Sequence, residues 1–283
     1  MLSRRTFISI LTFTYLFFLG WFLKLYLLSQ TEGTENLLTN FYGLIPLLGG
    51  IYGIYISRLW GGGKSSVGRG IIFLSLGLIT WGIGISIWLY YNFVLQVEVP
   101  YPSWADAGFI LSWPLWGIGI IFLSKATGAR FGVQKTMGKL FLLLIPILAI
   151  IFSYYVLVVI ARGGAFEIAD NFSTIFFDLA YPIGDVVVLT LATLIYGLSY
   201  RYFGGRYRHA IYLILFAFIL NYFADFTFSY TTTTESYYNG SLADVLFATT
   251  MYVFSVGIAL FDTRKEVTTS IQTVNVEAES YAQ

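Results

Sequence analysis

Apolar residues along this chain neither alternate nor fall into narrow helical stripes. They come in near-continuous runs of about 20 residues, the length a helix needs to cross a hydrocarbon core. Eight such runs cover residues 7–29, 41–60, 71–93, 104–124, 140–161, 174–199, 209–230 and 242–262. A helix satisfies its own backbone hydrogen bonds, so it is the natural form for an apolar run inside a bilayer. The pattern predicts an all-α, polytopic transmembrane bundle: one integral membrane domain over residues 1–262, its helices arranged as hairpins. The polar tail, 263–283, is too short to bury a core of its own. It is expected to be a disordered cytoplasmic extension, with no soluble catalytic domain attached.

Composition agrees with that class. The chain is 57% hydrophobic and 11% charged, with a mean hydropathy of +0.75, against about 25% charged in an average soluble domain. Tyr, Phe and Trp are abundant, as expected of rings that sit at lipid interfaces. The lack of cysteine excludes disulfides, thiolate metal sites and cysteine nucleophiles. "SRRTF" at 3–7 opens like a twin-arginine export signal. The run behind it is as long as a full span, however, and no alanine precedes Ala105 to make an A-x-A cleavage site. It is therefore retained as the first span.

The distribution of charge orients the bundle. Arg4, Arg5, Arg58, Lys64, Arg69, Lys125, Arg130, Lys135, Lys139, Arg201, Arg206, Arg208, Arg264 and Lys265 all fall at one set of span ends. Arg162 lies opposite, and Lys24 is placed to snorkel from the other end of span one. The positive-inside bias puts both termini in the cytoplasm, in what reads as a prokaryotic plasma membrane. The opposite connections carry Glu32, Glu35, Glu98, Glu167, Asp170 and Glu235. There "YTTTTESYYNGS", 230–241, reads as a polar interfacial loop, and Asn171 and Asn239 head N-x-S sequons. Gly49 and Gly53, and also Gly82 and Gly84, are small enough to let helix backbones approach.

Three spans that enter from the external side carry a small residue followed by aspartate: Ala105-Asp106, Gly184-Asp185 and Ala243-Asp244. Ser103-x-x-Asp106 and Ser241-x-x-Asp244 have the spacing of a capping box, and a first-turn carboxylate gains about 0.3–1 kcal/mol from the helix dipole. Asp185 admits two readings. If span six begins near residue 174, Asp185 lies two to three turns inside, with Asp178 on nearly the same face. If it begins at Pro182, residues 166–180 form an external or re-entrant segment. Asn221 and Asp225 share one face of the seventh span, where an N-cap role is excluded and the dipole disfavours negative charge. Asp225 is either part of a solvated helix end, or it is protonated, pairs with a cation such as Lys24 or Arg162, or holds a ligand. Intramembrane acids are functional-site candidates by default. Asp225, Asn221, Asp185, Asp178, Asp106 and Asp244 are accordingly expected to form an outward-facing pocket for a cation, a proton or a basic small molecule.

Other chemistries fail on the residues. "WGGGKSS" at 60–66 lacks the first glycine and the preceding strand of a phosphate-binding loop. His209, the one histidine, stands between basic residues and excludes a histidine metal site or a Ser-His-Asp triad. No mid-span lysine is available for retinal after span one. The sequence calls for no cofactor, no metal and no nucleic acid, and its expected partner is the bilayer.

"YPSWADAGFILSWP", "DLAYPIGDVVVL" and "GSLADVLFA" resemble the multi-span N-terminal sensory region of membrane-bound diguanylate cyclases, cyclic-di-GMP phosphodiesterases and histidine kinases. The resemblance covers about residues 40–262, through Pro102 to Asp106, Pro182 to Asp185 and Ser241 to Asp244. It departs at the end of the chain, where the effector domain of that group is expected. It implies a membrane sensory or ligand-binding module acting through a separate cytoplasmic signalling protein or a second copy of itself. The alternative from another class is a small transporter or ion-translocating protein that uses the same acids. An aspartate-dependent membrane hydrolase is a third reading, with no nucleophile singled out; the chain is otherwise expected not to be an enzyme.

Overall fold

The computed structural model describes residues 2–126, 207–262 and scattered positions between 140 and 190. Among them the chain is all helix, without strands. Its long elements are α1 (Arg4–Leu27), α2 (Thr34–Leu38), α3 (Leu44–Leu59), α4 (Ser66–Leu89), α5 (Trp104–Ala126), α6 (Arg208–Thr233) and α7 (Leu242–Ala259). A 3-10 turn over Thr39–Gly43 joins α2 to α3, and a π-helical turn over Tyr90–Leu95 extends α4. Six of the resulting helical segments are long and apolar enough to cross a membrane. They coincide with the first four and last two expected spans. The other two, 140–161 and 174–199, lie largely outside the described residues, although Tyr154–Ile160 forms a π-helical turn.

Helices consecutive along the chain, such as α3 and α4, run antiparallel; α7 is central, packing on α1, α3, α4 and α6, and is parallel to α3. On α1 the buried side chains are Phe7, Leu11, Phe18, Phe22 and Leu25, steps of three, four and seven that keep one stripe against the bundle. Its other face exposes Phe13, Leu16, Phe17 and Leu23. A water-soluble helix would carry polar residues there; an apolar outer face is what lipid tolerates.

With no hydrophobic force between helices in lipid, close packing must hold them together. The α4–α5 pair does this through a seven-residue repeat of small residues on both partners. A Cβ added at Gly70, Gly77 or Gly84 would fall 3.2, 3.1 and 3.0 Å from the carbonyl oxygens of Gly119, Ser112 and Ala105 respectively. Backbones at that distance gain dispersion and Cα–H···O contacts along the whole crossing. On α3, Gly49 faces Ser255 of α7 and Gly53 faces Ser75 of α4, as the sequence suggested for that pair. Gly82 and Gly84 turn to different neighbours, Leu47 and Phe109, because they sit on different faces of α4.

At the basic end, the last residues of α7 are held by the start of the chain. Arg4 Nη1 donates to the carbonyl of Asp262 (3.0 Å), Tyr52 Oη donates to Asp262 Oδ2 (2.7 Å), and Trp60 Nε1 donates to the carbonyl of Phe261 (2.9 Å). Arg4 and Trp60 thus meet carbonyls of the kind a helix C-terminus leaves without intrahelical partners, and Tyr52 holds the Asp262 carboxylate. "WGGGKSS" forms the α3–α4 turn, with Gly61 and Gly62 at positive φ and Ser65 capping α4 through Gly68 N–H (2.9 Å).

Candidate functional site

The acidic end is built from the close of α1, the α2–3-10 segment, the end of α4, the starts of α5 and α7, and the 234–241 turn. Two of its aspartates are ordinary helix starts in part. Asp106 Oδ2 accepts from Ser103 N–H (2.6 Å) and from Ser103 Oγ (2.9 Å), while Ser103 Oγ accepts from Ala105 N–H (3.2 Å). That is the reciprocal capping expected from the spacing. Asp244 makes only half of its box. Its Oδ2 accepts from Gly240 N–H (2.6 Å), but the Ser241 hydroxyl caps nothing. Asp244 is 2% exposed and receives a further hydrogen bond from Tyr237 Oη (3.3 Å).

Asp225 is deeper than its sequence position suggested. The helix runs on to Thr233 rather than ending near residue 230, because Thr231, Thr232 and Thr234 return their hydroxyls to the carbonyls of Thr227, Phe228 and Tyr230. Eight residues at 1.5 Å each put Asp225 about 12 Å from that end, not 7–8 Å. It is 8% exposed, and its Oδ2 accepts from Asn221 Nδ2 (2.5 Å). Lys24 is not its partner: that ammonium goes to Glu35 (2.7 Å) and lies over the Trp21 ring. Arg162, Asp178 and Asp185 lie outside the described residues. The positions flanking Asp185 are seen, however: Gly184 packs on the Trp113 ring, and Val186 on Tyr222, beside Asn221.

Asp225 and Asp244 lie at the same end of the bundle: Tyr237, which donates to Asp244, packs its ring on Phe228, about one turn beyond Asp225, and Tyr42 is fully buried at that end too. Tyr42 was not foreseen, and neither were the asparagines beside it. Asn239, read from sequence as a sequon in a solvated loop, turns inward. Its Oδ1 accepts from Asn40 Nδ2 (3.0 Å) and Trp88 Nε1 (3.2 Å), and its carbonyl from Asn36 Nδ2 (3.0 Å). Asn36, Thr39 and Asn40 are at most 1% exposed, although the second expected span begins only at residue 41. Among the described residues, no group of three acidic or histidine side chains is arranged to hold a metal ion.

Burial, and then Asp244 beside it, holds the Tyr237 phenol well above its ordinary 10.0. The neutral phenol is the form the fold favours, so its contribution to stability is full below pH 10 and is lost as pH climbs above it. Alkaline unfolding is therefore expected to be steeper in the native chain than in Tyr237→Phe. Melting curves between pH 8 and 11 test this, and superimposable profiles for the two proteins would rule it out. No family model, curated protein or solved structure matches this chain.

Proposed function

We propose that this chain is a membrane-embedded sensory or ligand-binding module whose acidic end faces outward, with eight spans and both termini in the cytoplasm of a prokaryotic cell. The observation that carries the reading is the burial of two carboxylates at one end of the bundle, Asp225 at 8% and Asp244 at 2% exposure. Carboxylates withdrawn from water are costly unless a proton or a cation compensates them. A ligand that supplies that compensation binds the packed state better and so shifts its population. Segregation of Arg4, Arg58, Lys64, Arg69, Lys125 and Arg208 to the opposite end supports the orientation.

Sensing is favoured over translocation by what lies below the acids. The buried side of α7 continues as Phe247, Met251, Phe254 and Ile258, and α4 faces it with Leu74 and Leu78. A pair of buried acids floored by packed apolar side chains suits binding without passage. The output would reach a separate signalling protein through the basic end, where Asp262 of α7 is tied to Arg4 and Tyr52.

The test is thermal stability of the full chain in nanodiscs across a pH and cation series, for the native protein and for Asp225→Asn with Asp244→Asn. The native protein should gain several degrees in at least one condition, and the double variant should fold without that gain. Equal responses in both proteins end the acidic-site reading. Flux of the stabilising cation into liposomes would move the assignment to the transporter class.

A further inference from the structure

At the basic end, two cations from different helices meet on one aromatic ring. Arg69, near the start of α4, has its Cζ 4.6 Å from the centre of the Phe122 ring, and Lys125, in the last turn of α5, has its Nζ 5.4 Å from the same centre. The glycine seam sets this register: Gly70 sits against Leu123 and the Gly119 carbonyl, so their neighbours Arg69 and Phe122 come side by side. Phe73, one turn along α4, stacks on Phe122 at 5.7 Å. Neither cation meets a carboxylate, since Lys24–Glu35 is the one ion pair among the described residues. Arg69 gives its Nε–H to the Ser65 carbonyl (3.5 Å) and keeps its terminal N–H groups, while Lys125 is exposed. Two like charges gathered on one ring repel each other, and an anion between them removes that cost. A guanidinium over a ring still presents its N–H edge, which suits phosphate.

The surface beside the pair narrows the anion. Leu111, Ile118 and Lys125 follow one another at seven-residue steps, two helical turns each, on one face of α5. Leu111, Ile118 and the adjacent Ile121 are 51%, 38% and 42% exposed, so an apolar stripe runs from the cations into the hydrocarbon layer. A soluble phosphate would use the charges alone; a phospholipid uses the charges and the stripe together. In the proposed orientation this end lies in the cytoplasmic leaflet, where anionic lipids attract basic side chains.

We propose that Arg69 and Lys125 bind the phosphate of an anionic phospholipid whose acyl chains lie along Ile121, Ile118 and Leu111. The inference uses the proposed orientation and none of the acids, so it stands or falls apart from the ligand reading. Phosphatidylcholine brings its own cation beside the phosphate and should bind more weakly.

The experiment compares the full chain in nanodiscs of phosphatidylcholine alone with nanodiscs of equal parts phosphatidylcholine and phosphatidylglycerol. The native protein should melt several degrees higher in the mixed discs. Native mass spectrometry should find phosphatidylglycerol retained at least about tenfold over phosphatidylcholine, as two basic residues at an anionic surface would give. Arg69→Gln with Lys125→Gln should lose most of the melting gain. Arg58→Gln with Lys64→Gln removes two exposed charges from the same end and should keep it, as should Asp225→Asn with Asp244→Asn. An unchanged gain in the Arg69 and Lys125 double variant overturns the proposal. Equal losses in the Arg58 and Lys64 variant also overturn it, because surface charge in general would then be responsible. Sodium phosphate added to phosphatidylcholine discs, against sodium chloride at matched ionic strength, should give no such gain; a gain as large as that from phosphatidylglycerol overturns the lipid assignment. Should the Arg69 and Lys125 variant fail to fold, lipid retention by the native protein decides, and equal retention of the two lipids ends the proposal.

Discussion

Gly77→Leu is expected to destabilise the bundle by more than about 3 kcal/mol, or to prevent the chain from accumulating in the membrane. A Cβ at this position would enter the van der Waals envelope of the Trp116 indole and come 3.1 Å from the Ser112 carbonyl. Trp116 is 1% exposed and wedged between Phe218 and Phe254, at 5.7 and 5.4 Å between ring centroids. It cannot yield without moving α6 and α7 as well. Overpacking of a tight core costs about 1–3 kcal/mol for a few added carbons, and more where the obstacle is a backbone or a locked ring. Even Gly77→Ala should lose stability, although alanine gains about 1 kcal/mol over glycine in helix propensity. Gly20 on α1 is the control, because a Cβ there meets nothing within 4 Å. Gly20→Ala should melt at or slightly above the native temperature. If Gly77→Leu melts with it, the α4–α5 seam is not what holds these helices together.

That seam shows where sequence reading stops. The long apolar runs were legible because crossing a bilayer is a property of one helix at a time. Gly49 and Gly53 were legible for a similar reason: a four-residue step puts both on one face whatever the partner. The Gly70, Gly77 and Gly84 repeat acquires meaning only beside Gly119, Ser112 and Ala105 in antiparallel register, and nothing in either helix states that register. Capping divides in the same way. Asp106 and Ser103 are three residues apart, so spacing alone predicted their hydrogen bonds. Asp244 has the same local signature, yet its burial depends on Tyr237. Asn36, Thr39 and Asn40 fall just before the second expected span, which begins at residue 41. A polar residue can be buried if a distant segment brings it partners: Asn239 does so for Asn36 and Asn40, while Thr39 returns its hydroxyl to the Asn36 carbonyl.

Asn239 is the sharpest case, and Asn239→Ala is expected to cost about 2–5 kcal/mol. The side chain is one acceptor shared by two donors, Asn40 Nδ2 and Trp88 Nε1, and its removal leaves both facing an apolar methyl group. A stranded buried donor costs about 1–3 kcal/mol, and Asn40 is 1% exposed. The backbone carbonyl of residue 239 still receives Asn36 Nδ2, so the turn keeps one of its three ties. The turn also positions Gly240, at φ +89, whose N–H meets Asp244. Loosening it should therefore weaken cation-dependent stabilisation as well as the fold. Ser241→Ala separates this account from one based on the sequon. That change abolishes the N-G-S pattern but removes a hydroxyl with no partner among the described residues. It should leave melting within about 0.5 kcal/mol of native, as for a substitution that breaks no interaction. If Ser241→Ala proves as damaging as Asn239→Ala, the asparagine matters for its modification. If only Asn239→Ala is damaging, it acts as the acceptor that draws the 3-10 turn, α4 and the 234–241 turn together over the acids.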